Sequence, residues 1–333
     1  MVSLEAVVDE QAAASRFSGV VRVDRGAEPL VERAYGFADR RWRIDNTPDT
    51  RFAIASGVKG MTALVVMSLV EEGVLGLATR ARELLRGDLP LIADDVTVEH
   101  LLAHRSGIGD YFDEDLAGEI TDYVLPVPVH RLAETEDYLT VLDAHPTKFA
   151  ADERFSYCNG GFVVLALLGE RASGIAFREL VERRVCAPAG MTDTAFLRSD
   201  ELPERTAAGY LAADGLRTNV LHLPVRGSGD GGIYTTAADV RALWAALFAG
   251  EIVPRERVAE MTKPRSDGEP PWKYGLGFWL HGERGVVALE GYDAGVSFRS
   301  LHDPTNSTTV TVIANWSDGA WPVVKAIEAE LFG

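Results

Sequence analysis

The stretch Phe52-Ala53-Ile54-Ala55-Ser56-Gly57-Val58-Lys59-Gly60-Met61 sets a serine three residues before a lysine at the mouth of a long apolar segment. If Ser56 opens a helix, Lys59 lies almost one turn on and shares its face, so the amine reaches the hydroxyl. A serine hydroxyl is a weak nucleophile at neutral pH and needs a neighbour to accept its proton, and a lysine that burial or another cation has stripped of its charge is such a neighbour. A helix N-terminus adds unpaired backbone N–H groups for a developing oxyanion. Read locally, the same residues also describe an N-cap serine followed by a surface lysine.

Working outward, a helix over 3 to 15 (Leu4, Val7, Val8, Ala12) precedes strands over 17 to 23 and 30 to 34, joined at Asp24-Arg25-Gly26. The segment 57 to 72 is apolar on nearly every side, the mark of a helix at the centre of the protein. Helical patterns follow at 97 to 104, 130 to 144, 159 to 172 and 177 to 186. The strand pattern returns at 274 to 281, 285 to 289, 296 to 303 and 308 to 314, before an amphipathic helix at 320 to 332. Strands at both ends with helices between predict an α+β fold. One antiparallel sheet flanked by helices is built from 1–75 and 235–333, and a mainly helical domain, 76–234, is inserted into it.

With 333 residues, 47% hydrophobic and 25% charged, the chain has the make-up of a soluble globular enzyme. A formal net charge of −17 repels a phosphate backbone or an anionic membrane at long range, so neither nucleic acid nor a membrane is an expected partner. Cys158 and Cys186 are read as reduced thiols. The first ten residues carry neither a basic n-region nor an apolar h-region, so the sequence as it stands reads as cytoplasmic. Oligomeric state is left open.

A second constellation, Glu153-Arg154-Phe155-Ser156-Tyr157-Cys158-Asn159-Gly160-Gly161-Phe162, puts a tyrosine two residues before an asparagine at a helix start. A phenol beside a cationic lysine loses its proton more readily and becomes a general base, and the asparagine amide can orient lysine and substrate. The local alternative is an aromatic plug followed by an N-cap. His100 and His104 stand at zinc spacing, but no glutamate follows the first, and no metal or other cofactor is expected. Gly227, Gly229 and Gly232 spell GxGxxG without a βαβ unit around them, which leaves a glycine-rich loop at a cleft. No serine sits in GxSxG.

Taken together, Ser56-Gly57-Val58-Lys59 and Tyr157-Cys158-Asn159 resemble the serine β-lactamase and penicillin-binding-protein superfamily, in particular its class C-like β-lactamases, D-aminopeptidases and family VIII carboxylesterases. The segments His100 to Ile108, Pro188 to Thr194 and Gly231 to Val240 resemble its LLxHxSG, PLGMxDT and GGLxSTAxDL stretches, in the same order. The resemblance implies Ser56 as nucleophile, Lys59 and Tyr157 sharing the proton work, and Asn159 orienting. It also implies a third motif, here Leu289-Glu290-Gly291-Tyr292. In it Gly291 is kept, the Tyr292 N–H joins that of Ser56 as oxyanion donor, and Leu289 stands where the family has lysine or histidine. The expected activity is hydrolysis of a small-molecule ester or amide through an acyl-enzyme. Leu289 acts as an apolar wall that weakens any action on penicillins. The alternatives are a D-amino-acid amidase or peptidase, a weak β-lactamase, or a catalytically idle penicillin-binding or sensor-like protein.

Overall fold

The computed structural model describes residues 3–114 and 118–332; Met1 and Val2 of the N-terminal stretch lie outside them. Helix α1 (Leu4–Ser15) starts where the Ser3 side chain accepts the Ala6 N–H, and it leads into β1 (Gly19–Arg25) and β2 (Glu28–Tyr35). The apolar segment forms α2 (Val58–Glu71), every residue of which from Val58 to Leu69 is buried. Farther on come α3 (Val98–Leu102), α4 (Asn159–Ser173), which stops at Gly174 in the left-handed region (φ 72°), and α5 (Ala237–Ala249), capped by the Thr236 hydroxyl. The chain then returns to strands β3 (Ser266–Asp267), β4 (Trp272–Tyr274), β5 (Trp279–His281), β6 (Val287–Asp293), β7 (Val296–Asp303) and β8 (Thr308–Ala314), and ends in α6 (Ala320–Phe332).

These eight strands join one antiparallel sheet in the order β2-β1-β8-β7-β6-β5-β4-β3, so the first and last strand groups of the chain meet at the β1–β8 pair. Side chains alternate between its faces. Val21, Val23, Ala288, Val310 and Val312 point to the outer face under α1 and α6, while Val20, Leu289, Phe298 and Ile313 point inward to a core that also takes in α2, α4 and α5. Among the described residues no single helix is long and apolar enough to cross a membrane.

Two local expectations are corrected. Residues 274 to 281 are not one strand: Gly275 and Gly277 break the run, the latter at φ 86° and close against Ala63 of α2, and the chain folds into the β4–β5 pair. Residues 130 to 144 form short turns (Val129–Arg131, Thr135–Tyr138, Leu139–Leu142) rather than one helix, because Glu134 and Asp137 side chains bond backbone N–H groups locally and restart the chain.

Candidate active site

Ser56 sits in a single 3-10 turn, Ala55–Gly57, that runs directly into α2, rather than in the first turn of the α-helix itself. Ala55 just before it is held in the left-handed region (φ 45°), a backbone state that an alanine adopts only when its surroundings enforce it. The enforcement is visible on both sides. Phe52 and Ala53 pair with Thr235 and Tyr234, and the Ile54 N–H donates to the Ile233 carbonyl at 3.1 Å. On the other side lies β6, whose pairing with β5 ends at Ala288, so the rest of that strand is free to run along the turn. The Ser56 N–H precedes the first donor of the 3-10 turn, which is Gly57, and so is not consumed by it.

The three-residue spacing does bring Lys59 onto Ser56: Nζ lies 2.8 Å from Oγ. Two further contacts come from distant parts of the chain, Asn159 Oδ1 at 2.8 Å and the Asp230 carbonyl oxygen at 2.8 Å. Lys59 is 2% exposed, and burial lowers its pKa below the ordinary lysine value even though the carboxylates of Asp230, Glu114, Asp293 and Asp110 pull the other way. Tyr157, half-buried, has the Ser56 hydroxyl as a neighbour and lays its ring 4.9 Å from Nζ.

The state of the phenol is a correction. Burial first, and then the carboxylate of Glu114, raise the Tyr157 pKa well above the ordinary value, with the Ser56 hydroxyl opposing. The neighbouring lysine does not lower it, and the resting phenol keeps its proton. Asn159 is the first residue of α4 rather than its cap. The cap is Cys158, whose sulfur accepts the Gly161 N–H at 3.3 Å, so the Asn159 amide is released to join Lys59 to the Phe112 carbonyl (3.1 Å) and Glu114 (3.0 Å).

Several participants had no signal of their own in the sequence. Asp110 accepts the N–H groups of Asn159 (2.6 Å) and Gly160 (2.8 Å), which places a carboxyl at the head of α4, and burial raises its pKa to about 6. Asp230, 7% exposed, accepts the Tyr111 hydroxyl, and burial likewise raises its pKa. Asp293, two residues beyond Gly291 on the inward face of β6, is pushed up to about 7 by burial, against the opposing charge of Lys59. The only hint was position: each lies within three residues of a motif that was read for other reasons.

An open cleft above Ser56 is lined by apolar side chains, among them Phe112, Ile120, Tyr123, Leu125 and Val225, and by Gly227, Gly231 and Gly232 of the glycine-rich loop. Among the described residues its acidic lining is Glu114, Asp230 and Asp293, with no lysine or arginine beside them in the wall. Leu289 is absent from this wall. It is 3% exposed and packs inward on Gly60 of α2, close enough that a Cβ on Gly60 would come within 2.5 Å of it, so the expected apolar wall is part of the core. Nor, among the described residues, does either candidate cation take its place: Arg299 pairs with Glu290 and Glu328 on the outer face, and Arg226 bonds the Phe196 carbonyl. Tyr292 turns its ring outward onto Trp321 and bonds Asp318, presenting only backbone on the side of the turn. The two histidines have separate uses, His100 in a capping box with Thr97 and His104 in the core, and Cys158 and Cys186 are free and buried.

Residues 4–332 match the family model described as Beta-lactamase, and the chain belongs to that family. Its fold overlays the penicillin binding protein from Bacillus halodurans with a TM-score of 0.91 at 38% identity, over 97% of this chain and 100% of that one. It is 34% identical to esterase EstB of Burkholderia gladioli over 62% of this chain and 54% of that protein. To the D-aminopeptidase of Brucella anthropi it is 30% identical, over 82% of this chain and 51% of that protein. The chain thus spans about half the length of these two curated relatives. It is a serine hydrolase of this family.

Proposed function

We propose that Ser56 and Lys59 act as a nucleophile–base pair that cleaves a carboxylic ester or amide through an acyl-enzyme. The observation that carries this reading is the set of three partners around Lys59 Nζ. Of its three partners, Asn159 Oδ1 and the Asp230 carbonyl can only accept, whereas the Ser56 hydroxyl can also donate. As an ammonium Lys59 donates to all three; once it has lost a proton it keeps two N–H bonds for the two obligatory acceptors and turns its lone pair to the Ser56 proton.

In the proposed sequence Ser56 Oγ bonds the carbonyl carbon as its proton passes to Lys59, and the oxyanion is received by the N–H groups of Ser56 and Tyr292. Tyr157 gives its phenolic proton to the departing oxygen or nitrogen and is recharged from Lys59. Water then attacks the ester on Ser56 by the reverse route and returns a proton to Oγ. Asn159 holds the amine in place throughout.

The substrate class follows from the lining. A carboxylate brought to about 6 Å from one uncompensated carboxylate is opposed by roughly 3 kcal/mol at an effective dielectric of about 20, enough for a hundredfold difference. With Glu114 and Asp293 in the cleft wall and no lysine or arginine among its described lining residues, neutral ester or amide substrates are favoured over penicillins and cephalosporins. A fluorophosphonate probe should label Ser56, with label and turnover both lost in Ser56→Ala. A panel of p-nitrophenyl esters, D-amino-acid amides and nitrocefin then sorts the substrates. Labelling of Ser106 or Ser156 instead would sink the nucleophile assignment, and a stable adduct without turnover would make the chain a binding protein.

A further inference from the structure

Tyr157 is suspended from a residue that the proton-transfer scheme does not use. The Ser156 N–H donates to the His104 carbonyl at 2.9 Å, and the Cys158 N–H donates to His104 Nδ1 at 3.1 Å, so the backbone on both sides of the tyrosine ends on one histidine. The imidazole also lies against the phenol ring, centroids 4.3 Å apart and planes at 35°. Trp279 of β5 stacks on the same phenol ring (6.1 Å, 9°), and Tyr274 of β4 touches both Trp279 (4.8 Å) and His104 (4.7 Å). Four rings therefore close a circuit that ties Tyr157 to the β4–β5 pair of the sheet.

His104 is a costly residue to keep in this place. It is 1% exposed, its backbone is in the left-handed region (φ 54°), and its Nε2 has no hydrogen-bond partner among the described residues. Because Nδ1 accepts from Cys158, the ring proton is on Nε2, and burial together with the charge of Lys59 keeps the imidazole neutral. A larger or smaller apolar side chain could fill the space without stranding a polar atom. None could accept the Cys158 N–H. The one interaction that requires a histidine-like acceptor is thus the one that sets the chain immediately after Tyr157.

We propose that His104 is the positioning residue of Tyr157: it touches no reacting atom and acts by holding the phenol on Ser56 through the Ser156 and Cys158 N–H bonds and the ring contact. The proposal rests on the reading of Tyr157 as proton donor. Its test compares His104→Ala, His104→Asn, His104→Gln and Tyr157→Phe, with kcat and KM measured on a neutral p-nitrophenyl ester and folding followed by thermal denaturation. Asparagine puts its oxygen near the Nδ1 position and tolerates a left-handed backbone, whereas glutamine reaches the Nε2 position and misses the Cys158 N–H.

The expected result is that His104→Ala and His104→Gln lose at least about tenfold in kcat with KM within about twofold, and that His104→Asn recovers most of kcat. Added to Tyr157→Phe, His104→Ala should cost less than about twofold more, since the group it positions is already gone. Equal activity of the Asn and Gln variants, a loss expressed in KM, or a full additional loss in the Tyr157→Phe background would each overturn the proposal. If His104→Ala fails to fold, the Asn–Gln comparison alone decides it. If Tyr157→Phe leaves kcat unchanged, the donor role falls, and the positioning role falls with it, while Ser56 labelling still stands as the check on the nucleophile.

Discussion

Gly291 and Ile54 are in such close approach that a Cβ on the glycine would lie 2.0 Å from the Ile54 carbonyl oxygen and 3.0 Å from the Ser56 nitrogen. The glycine is needed for space rather than for an unusual backbone angle, and the space is what lets β6 lie against the nucleophile turn.

Gly291→Ala should therefore separate the strand from the turn by about 1 Å and pull apart the two N–H groups of the proposed oxyanion hole. A displacement of that size costs on the order of a hundredfold. The prediction is a drop of about that size in kcat/KM for a neutral ester, while circular dichroism continues to report a folded chain. Activity within threefold of the parent would mean that the strand's backbone is not part of the catalytic centre.

Lys59 and Tyr157 should behave as one unit. Lys59→Ala and Tyr157→Phe in combination are expected to lose little more than the worse single change, measured as kcat/KM on one ester. Because Lys59 acts as a base, kcat/KM should rise with pH as the ammonium loses its proton, along a limb displaced below the ordinary lysine value by burial. Strictly additive losses would contradict the shared role.

Asp293 is predicted to set both charge preference and pH-dependent stability. Asp293→Asn should raise kcat/KM for nitrocefin relative to a neutral ester by roughly tenfold or more. Its folded pKa, about 7, is raised above the ordinary aspartate value, so the folded carboxyl holds its proton to higher pH than the unfolded one. Stability then falls as the pH climbs from about 4 towards 7. The asparagine variant should accordingly be more stable than the parent at pH 8, by about 1–2 kcal/mol once partial solvent access is allowed for, and equal to it at pH 4. Denaturant titrations at the two pH values check the sign.

Leu289→Lys should not create a carboxylate-binding cation. It buries an amine against Gly60 and Phe278, which should cost about 3–5 kcal/mol of stability in urea unfolding without improving nitrocefin turnover. A well-folded variant with faster nitrocefin hydrolysis would show that the side chain reaches the cleft after all.

Local spacing determined much of this protein without help from the fold. Three residues along a helix separate Ser56 from Lys59, and backbone geometry alone brings such a pair together. Period-two alternation in 296 to 303 and 308 to 314 matched β7 and β8, and the apolar run after Gly57 could be nothing but a central helix. What tertiary structure decided lies beyond the reach of any window. The carbonyl of Asp230 comes to Lys59 from 171 residues away, and the Asn159 amide from 100. The strand expected over 285 to 289 runs on to Asp293, so that Leu289 and Asp293 share a face, but whether that face meets the core or the cleft changes along its length, and only the position of α2 and the nucleophile turn settles it. The proton on Tyr157 belongs to the same class, because burial and the charges around a phenol are sums over the whole fold, while a sequence records only which groups are present to be summed.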